Sequence, residues 1–79
     1  IDEQLLELLA KRMRISREIG VYKKEHNMPI LQSPRYSEIL EKRSNMGEQM
    51  DLSTDFVKEI LKEIHEESVR QQMIIMNEQ

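Results

Sequence analysis

The chain has 79 residues, of which 34% are charged and 38% hydrophobic, and its formal net charge is -3. This length fits one domain with a modest core, and the acidic balance argues against general nucleic-acid binding, which needs a basic surface. The absence of cysteine excludes disulfides, thiol catalysis and thiolate metal sites. No apolar run is long enough to cross a membrane and no signal-peptide pattern opens the chain, so we expect a cytoplasmic protein.

The first predicted element is a long helix from about Asp2 to His26. Its apolar side chains recur at helical spacing, and they are Leu5, Leu8, Leu9, Ile15 and Ile19. Gly20 is isolated, which weakens a helix without ending it. A helix of this length extends roughly 36 Å, which is more than two shorter helices of the same subunit can cover. We therefore expect a second copy of the chain to cover its apolar side.

The second predicted helix begins sharply and is short. Ser33 is a suitable N-cap and Pro34 fits the first helical position. We expect this helix to run to about Met46, with Gly47 just past its end.

The third predicted helix begins after Asp51, with Ser53 as its cap, and reaches about Asn77. No segment alternates like a strand. The sequence therefore predicts an all-α fold in which residues 1–79 form one domain of a long, a short and a medium helix.

Two cations lie on the apolar side of the first helix. At 100° per residue, Arg12 projects within about 20° of both Leu5 and Ile19. Lys23 returns to the same stripe, about 20° from Arg12 and roughly 16 Å further along. The two side chains could hold one anion between them. The alternative, favoured for either residue alone, is a structural ion pair or a side chain that reaches solvent.

Polar residues also interrupt the later helices. Ser68 lies on the apolar stripe of the third helix, and Gln72 lies one turn further on its flank; both have a structural alternative, a hydrogen bond within or between helices. Arg35 in the first turn of the second helix opposes the helix dipole, so an anionic ligand there would explain it; an exposed arginine is the alternative. His26 and His65 show no metal-ligand spacing.

The run Asp2–Arg12, then Ile19–Lys23, resembles the first helix of the all-helical chorismate mutases, and Glu67–Gln72 resembles the end of their third helix. The resemblance covers nearly the whole chain. It implies a homodimer of three-helix subunits, intertwined through their long first helices. It also implies an isomerase that rearranges the dianion chorismate to prephenate without a metal or another cofactor.

The resemblance implies roles for single residues. Arg12 matches an arginine that binds a substrate carboxylate, and Lys23 matches a lysine that reaches the ether oxygen and a carboxylate. Gln72 matches a glutamine that bonds the same ether oxygen. Ser68 matches a serine near a carboxylate, and Arg35 matches a further substrate-binding arginine.

Gln32 falls where the family often has an aspartate whose backbone contacts the ligand. Two features depart from the family pattern. Tyr36 stands where a glutamate commonly holds the substrate hydroxyl. A second carboxylate-binding arginine, supplied by the other subunit, would precede Ile1. We therefore expect a piece of a longer protein, such as a fusion with 3-deoxy-7-phosphoheptulonate synthase.

Three other functions fit the same residues. An isochorismate pyruvate lyase uses the same fold and a similar cationic pocket. A non-catalytic domain that senses chorismate or prephenate would need no turnover. A plain coiled-coil dimeriser would pair Arg12 and Lys23 with acids across its interface.

Overall fold

The structure, a computed structural model, describes residues 1–30 and 33–77, with the backbone alone at 33 and 34. It consists of three helices, α1 (Asp2–Glu25), α2 (Ser33–Gln49) and α3 (Thr54–Asn77). No strand occurs in the described ranges, so the predicted all-α class is confirmed. Within those ranges no helix is long and apolar enough to span a membrane.

Helix α1 is terminated by a residue in the left-handed backbone conformation. The N–H of Met28 donates to the carbonyl of Lys23 at 2.8 Å, and the N–H of Asn27 donates to the carbonyl of Lys24 at 3.4 Å. Asn27 has a φ of 54°. This pair of bonds around a left-handed residue is the Schellman motif, in which asparagine can replace glycine. The helix ends one residue before the predicted His26.

The second helix continues past Gly47, so the prediction that it ends at Met46 was wrong. The N–H of Leu52 donates to the carbonyl of Gly47 at 2.9 Å, and the N–H of Asp51 donates to Glu48 at 3.1 Å. Asp51 has a φ of 62°. The residue that adopts the left-handed conformation is therefore Asp51, while Gly47 lies inside the last turns of α2.

Gly47 is needed for packing instead. A Cβ added to it would lie 2.7 Å from Cγ2 of Val57, one turn inside α3. Valine in a helix has one strongly preferred rotamer, so the methyl group has little room to move. A glycine at this position lets α2 and the start of α3 approach within the segment 33–65.

We expect Gly47→Ala to lower the free energy of unfolding by about 1 kcal/mol, because overpacking costs about 1–3 kcal/mol and exceeds the helix propensity that alanine gains. Urea unfolding followed by circular dichroism at a fixed chain concentration measures this. In a Val57→Ala background the same glycine substitution should become stabilising, since the methyl groups it meets are gone. An equal loss in both backgrounds would contradict the packing argument.

The start of α3 follows the prediction. The backbone N–H of Phe56 donates to Oγ of Ser53 at 3.3 Å, and the N–H of Val57 donates to the Ser53 carbonyl at 3.0 Å. Ser53 is thus the N-cap of α3. The predicted cap at Ser33 depends on a side chain outside the described residues.

The chain divides into two compact units, Ile1–Ile30 with Glu66–Gln79, and Leu31–His65. In the described part of the chain no hydrophobic side chain is buried. The buried polar residues are Ser16, Ser44 and Gln72. The large aliphatic side chains of α1 that are exposed are Leu5, Leu6, Leu8, Ile15, Ile19 and Val21.

In the first unit, α1 and the last part of α3 run in the same direction. Ser16 of α1 contacts Ser68 of α3, and Gly20, one turn later, lies against Gln72. Further along, Nζ of Lys24 donates to the carbonyl of Ile75 at 3.2 Å. Since contact positions advance together along both helices, the two segments are parallel.

Candidate active site

A buried polar cluster lies between α1 and α3 in the first unit. The hydroxyl oxygens of Ser16 and Ser68 are 2.6 Å apart, and Nε2 of Gln72 donates to Oγ of Ser68 at 3.3 Å. Ser16 is 6% exposed and Gln72 is 7% exposed. Oε1 of Gln72 is buried without a hydrogen-bond partner among the described residues. A buried amide with one unpartnered end is costly unless something else satisfies it.

Gly20 brings the Gln72 backbone close to α1. A Cβ on Gly20 would lie 3.2 Å from Cα of Gln72 and 3.3 Å from Cβ of Ile75. The obstacle at Gln72 is backbone, which a side-chain rotation does not move. Gly20 has a low helix propensity, but its missing side chain allows the close approach of α3 that sets the position of Gln72.

Arg12 and Lys23 lie on the same side of α1 as Ser16 and Gly20. Arg12 comes one turn before Ser16, and Lys23 comes three residues after Gly20, so helical geometry places all four on one side of α1. Arg12 is exposed and has no hydrogen bond or ion pair with another described residue. Nζ of Lys23 donates to the carbonyl of Ile30 at 2.8 Å. This bond holds the lysine beside the residues that follow α1.

The predicted residues of the second unit lie at the start of α2. Arg35 is exposed. The ring of Tyr36 stacks on His65 of α3, with centroids 3.8 Å apart and the planes 20° from parallel. The stack fixes the ring of Tyr36. Gln32 lies outside the described residues.

A second, half-buried set of polar side chains links α1 and α3 in the first unit. Nη1 of Arg17 donates to Oε1 of Gln71 at 3.2 Å, and Nε2 of Gln71 donates to Oε2 of Glu67 at 2.8 Å. Arg70 pairs with the same carboxylate at 2.7 Å. The hydrogen bond from Gln71, followed by that from Arg70, lowers the pKa of Glu67. Gln71 thus has the interhelical hydrogen bond that Gln72 lacks at Oε1.

The second unit also contains a groove that holds none of the predicted site residues. It is lined by Ser37, Leu40, Glu41, Ser44, Asn45, Thr54 and Lys58. The hydroxyl of Ser44 donates to the carbonyl of Leu40, one turn earlier in its own helix, at 2.7 Å. In the described residues no group of three or more histidines and acids is arranged to hold a metal ion.

Ser16 was not among the residues predicted from the sequence to form the site. Its position carried a signal, since Ser16 follows Arg12 by four residues and precedes Lys23 by seven, which places it on the stripe of the two cations. A serine there looks like an ordinary helical residue until its partner on α3 is known.

A family model described as chorismate mutase type II matches residues 1–73. The chain belongs to this family. The family resemblance read from the sequence is therefore confirmed. No solved structure matches the chain at a significant level.

Curated proteins are similar to the chain over most of its length. The chain is 35% identical over 77 residues to the bifunctional chorismate mutase/prephenate dehydratase of Buchnera aphidicola subsp. Schizaphis graminum, covering 98% of the chain and 20% of that protein. It is 31% identical over 68 residues to the T-protein of Enterobacter agglomerans, and 29% identical over 68 residues to that of Haemophilus influenzae. Both alignments cover 86% of the chain and 18% of the relative. The chain thus spans about a fifth of the length of these relatives.

Proposed function

We propose that this chain rearranges chorismate to prephenate, and that Arg12, Lys23 and Gln72 carry the reaction. The observation that supports this assignment is the buried Gln72 amide, whose Oε1 has no hydrogen-bond partner among the described residues. Gln72 packs against the α1 face that also carries the two cations. The family match supports the same activity.

The reaction is an intramolecular Claisen rearrangement, in which the ether C–O bond breaks as a C–C bond forms in the same molecule. It needs no nucleophile and no general base. The protein must hold a flexible dianion in a folded geometry and stabilise the negative charge that grows on the ether oxygen. Arg12 meets the first need by binding a carboxylate. Lys23 and Gln72 meet the second by donating hydrogen bonds to the ether oxygen.

The remaining predicted contacts are part of the same proposal. Ser68 lies next to a substrate carboxylate, and the hydrogen bond that it accepts from Gln72 supports its place in the same site. Arg35 and the backbone of Gln32 are further substrate contacts. Tyr36 offers a phenol for the substrate hydroxyl, and the stack on His65 gives that phenol a fixed position.

We also propose that residues 1–79 act as one domain in a homodimer intertwined through α1. The exposed apolar stripe of α1 supports this, since Leu5 is 53% exposed and Leu8 is 61% exposed in the single chain. Apolar patches of this kind mark interaction surfaces. A fusion to 3-deoxy-7-phosphoheptulonate synthase and a cytoplasmic location remain predictions.

We expect the chain to form prephenate from chorismate, and Gln72→Ala to lower kcat by about 10²-fold, the typical loss of one preorganised donor. Prephenate formation and chorismate loss are measured together. Gln71→Ala is the matched control, because both ends of the neighbouring Gln71 amide are hydrogen-bonded, to Arg17 and to Glu67, and this variant should keep near-parental turnover.

Two other outcomes would replace the proposal. Pyruvate release from isochorismate without prephenate formation would identify a lyase. A folded chain that binds chorismate or prephenate but turns over neither substrate would identify a sensing domain.

A further inference from the structure

Ser16 has no role in the resemblance to the family, yet it is one of the three hydrogen-bonded residues of the buried cluster. Its hydroxyl is 2.6 Å from that of Ser68, and Ser68 is bonded to Gln72. We propose that Ser16 is a positioning residue, which acts through Ser68 to set which end of the Gln72 amide faces the substrate. This inference rests on the proposed function.

The orientation of the Gln72 amide depends on which of the two serines donates its hydroxyl proton. A short bond between two hydroxyls contains one proton, so one serine donates and the other accepts. When Ser68 donates to Ser16, Oγ of Ser68 accepts from Nε2 of Gln72, which is the arrangement that leaves Oε1 without a partner. When Ser16 donates instead, the proton of Ser68 is available to an acceptor.

The second arrangement changes what Gln72 offers. The oxygen and nitrogen of an amide are nearly equal in size, so the amide can turn by 180° within the same space. Oε1 then accepts from Ser68, and Nε2 takes the place of the unpartnered oxygen with both of its N–H donors available. An ether oxygen is an acceptor only. The substrate therefore selects the arrangement in which Ser16 is the donor.

The buried position adds to this effect. Gln72 is 7% exposed, so a substrate oxygen reaches the amide only when neighbouring side chains give way. The hydrogen bond then forms away from water, where it is stronger than an exposed one. Once Ser16 and Ser68 hold the amide in the turned arrangement, its donor needs no further reorientation during the chemical step.

Ser44 shows the usual alternative for a buried helical serine. It is 2% exposed, and its hydroxyl donates to the Leu40 carbonyl of its own helix, a common local bond. The bond of Ser16 crosses to another helix and continues to an amide with an unpartnered end. Ser44→Ala is therefore a matched control for loss of a buried hydroxyl outside the site.

The first test is a mutant cycle on turnover. Ser16→Ala should lower kcat for chorismate about tenfold, the effect of one hydrogen bond, with KM within twofold of the parent, while Ser44→Ala keeps the parental kcat. Because Ser16 acts through Ser68, adding Ser16→Ala to Ser68→Ala should lower kcat no further. Parental kcat in a folded Ser16→Ala chain, or fully additive losses, would overturn the proposal.

A second readout does not depend on turnover. The side-chain amide signals of Gln72 in a ¹H–¹⁵N spectrum are identified by their loss in Gln72→Ala. They should move toward the values of a mobile glutamine in Ser16→Ala and stay unchanged in Ser44→Ala. If the parent chain has no mutase activity, the proposed function fails and these signals alone decide the positioning role. Unchanged Gln72 signals in Ser16→Ala would overturn it.

Discussion

In Lys23→Ala, kcat for prephenate formation should fall by about 10²- to 10³-fold, while KM changes much less. The ether oxygen gains negative charge only as its bond breaks, so a cation placed there stabilises the transition state more than the bound substrate. Loss of an interaction made mainly in the transition state appears in kcat. The hydrogen bond from Lys23 to the Ile30 carbonyl holds the ammonium beside the residues that follow α1, and an ammonium has further donors for a substrate oxygen.

Arg12→Ala should give a different kinetic pattern. The substrate carboxylate is charged before and during the reaction, so its partner contributes to ground-state binding as well as to the folded geometry. We expect KM to rise together with a fall in kcat. The difference in kcat/KM between the parent and Arg12→Ala should shrink with added salt, because an exposed ion pair is screened. Steady-state kinetics at two ionic strengths separates the two variants.

Matched controls remove the same charge from other faces of α1. Lys24→Ala takes away a cation next to Lys23 that donates to Ile75, and Arg14→Ala takes away an exposed guanidinium two residues from Arg12. Both should keep turnover within a few fold of the parent. Near-parental kcat in a helical Lys23→Ala chain would show that the site has been assigned to the wrong residues.

Leu8→Asp should convert a helical dimer into a largely unfolded monomer. The free energy of burying one leucine is about 1.5–3 kcal/mol, and a two-fold interface contains each residue twice. An unpaired carboxylate at a buried position adds a desolvation penalty. Leu8 is 61% exposed in the single chain, so only burial against a partner gives the substitution a large effect. Light scattering and circular dichroism measure the two changes.

Ala10→Asp is the control for this variant. Ala10 lies on the same helix about 160° away from Leu8, is exposed and acquires the same charge. The Ala10→Asp chain should remain a dimer, with a small loss of folding stability from the lower helix propensity of aspartate. A parent chain that is a stable helical monomer, or a Leu8→Asp chain that stays a dimer, would contradict the intertwined assembly.

Helix boundaries were predictable where they depend on local chemistry. Ser53 bonds the first turn of α3 as its position indicates, and α1 ends within one residue of the predicted His26. The end of α2 was not predictable in this way. Gly47 resembles a helix terminator in sequence, but its neighbour Val57 comes from the next helix, and local patterns contain no information about that contact.

The candidate site shows the same division. Periodicity alone predicts that Arg12 and Lys23 share one stripe, and in the structure Gly20 on the same side of α1 lies against Gln72. The roles of these side chains toward a substrate stay predictions. The link through Ser16 and Ser68 required a distance between two helices. Serine is common on helices, so its identity gives no indication of a buried partner.

Asn27 and Asp51, the two corners that follow α1 and α2, restrict which substitutions this sequence can accept. Both residues have positive φ, a region that asparagine, aspartate and glycine enter readily and β-branched residues avoid. Most single-base changes at these codons therefore carry a backbone penalty that the neighbouring exposed positions do not have. Among natural variants of this chain, the two corners should accept a narrower set of residues than the helix surfaces, although neither corner has a role in the proposed chemistry.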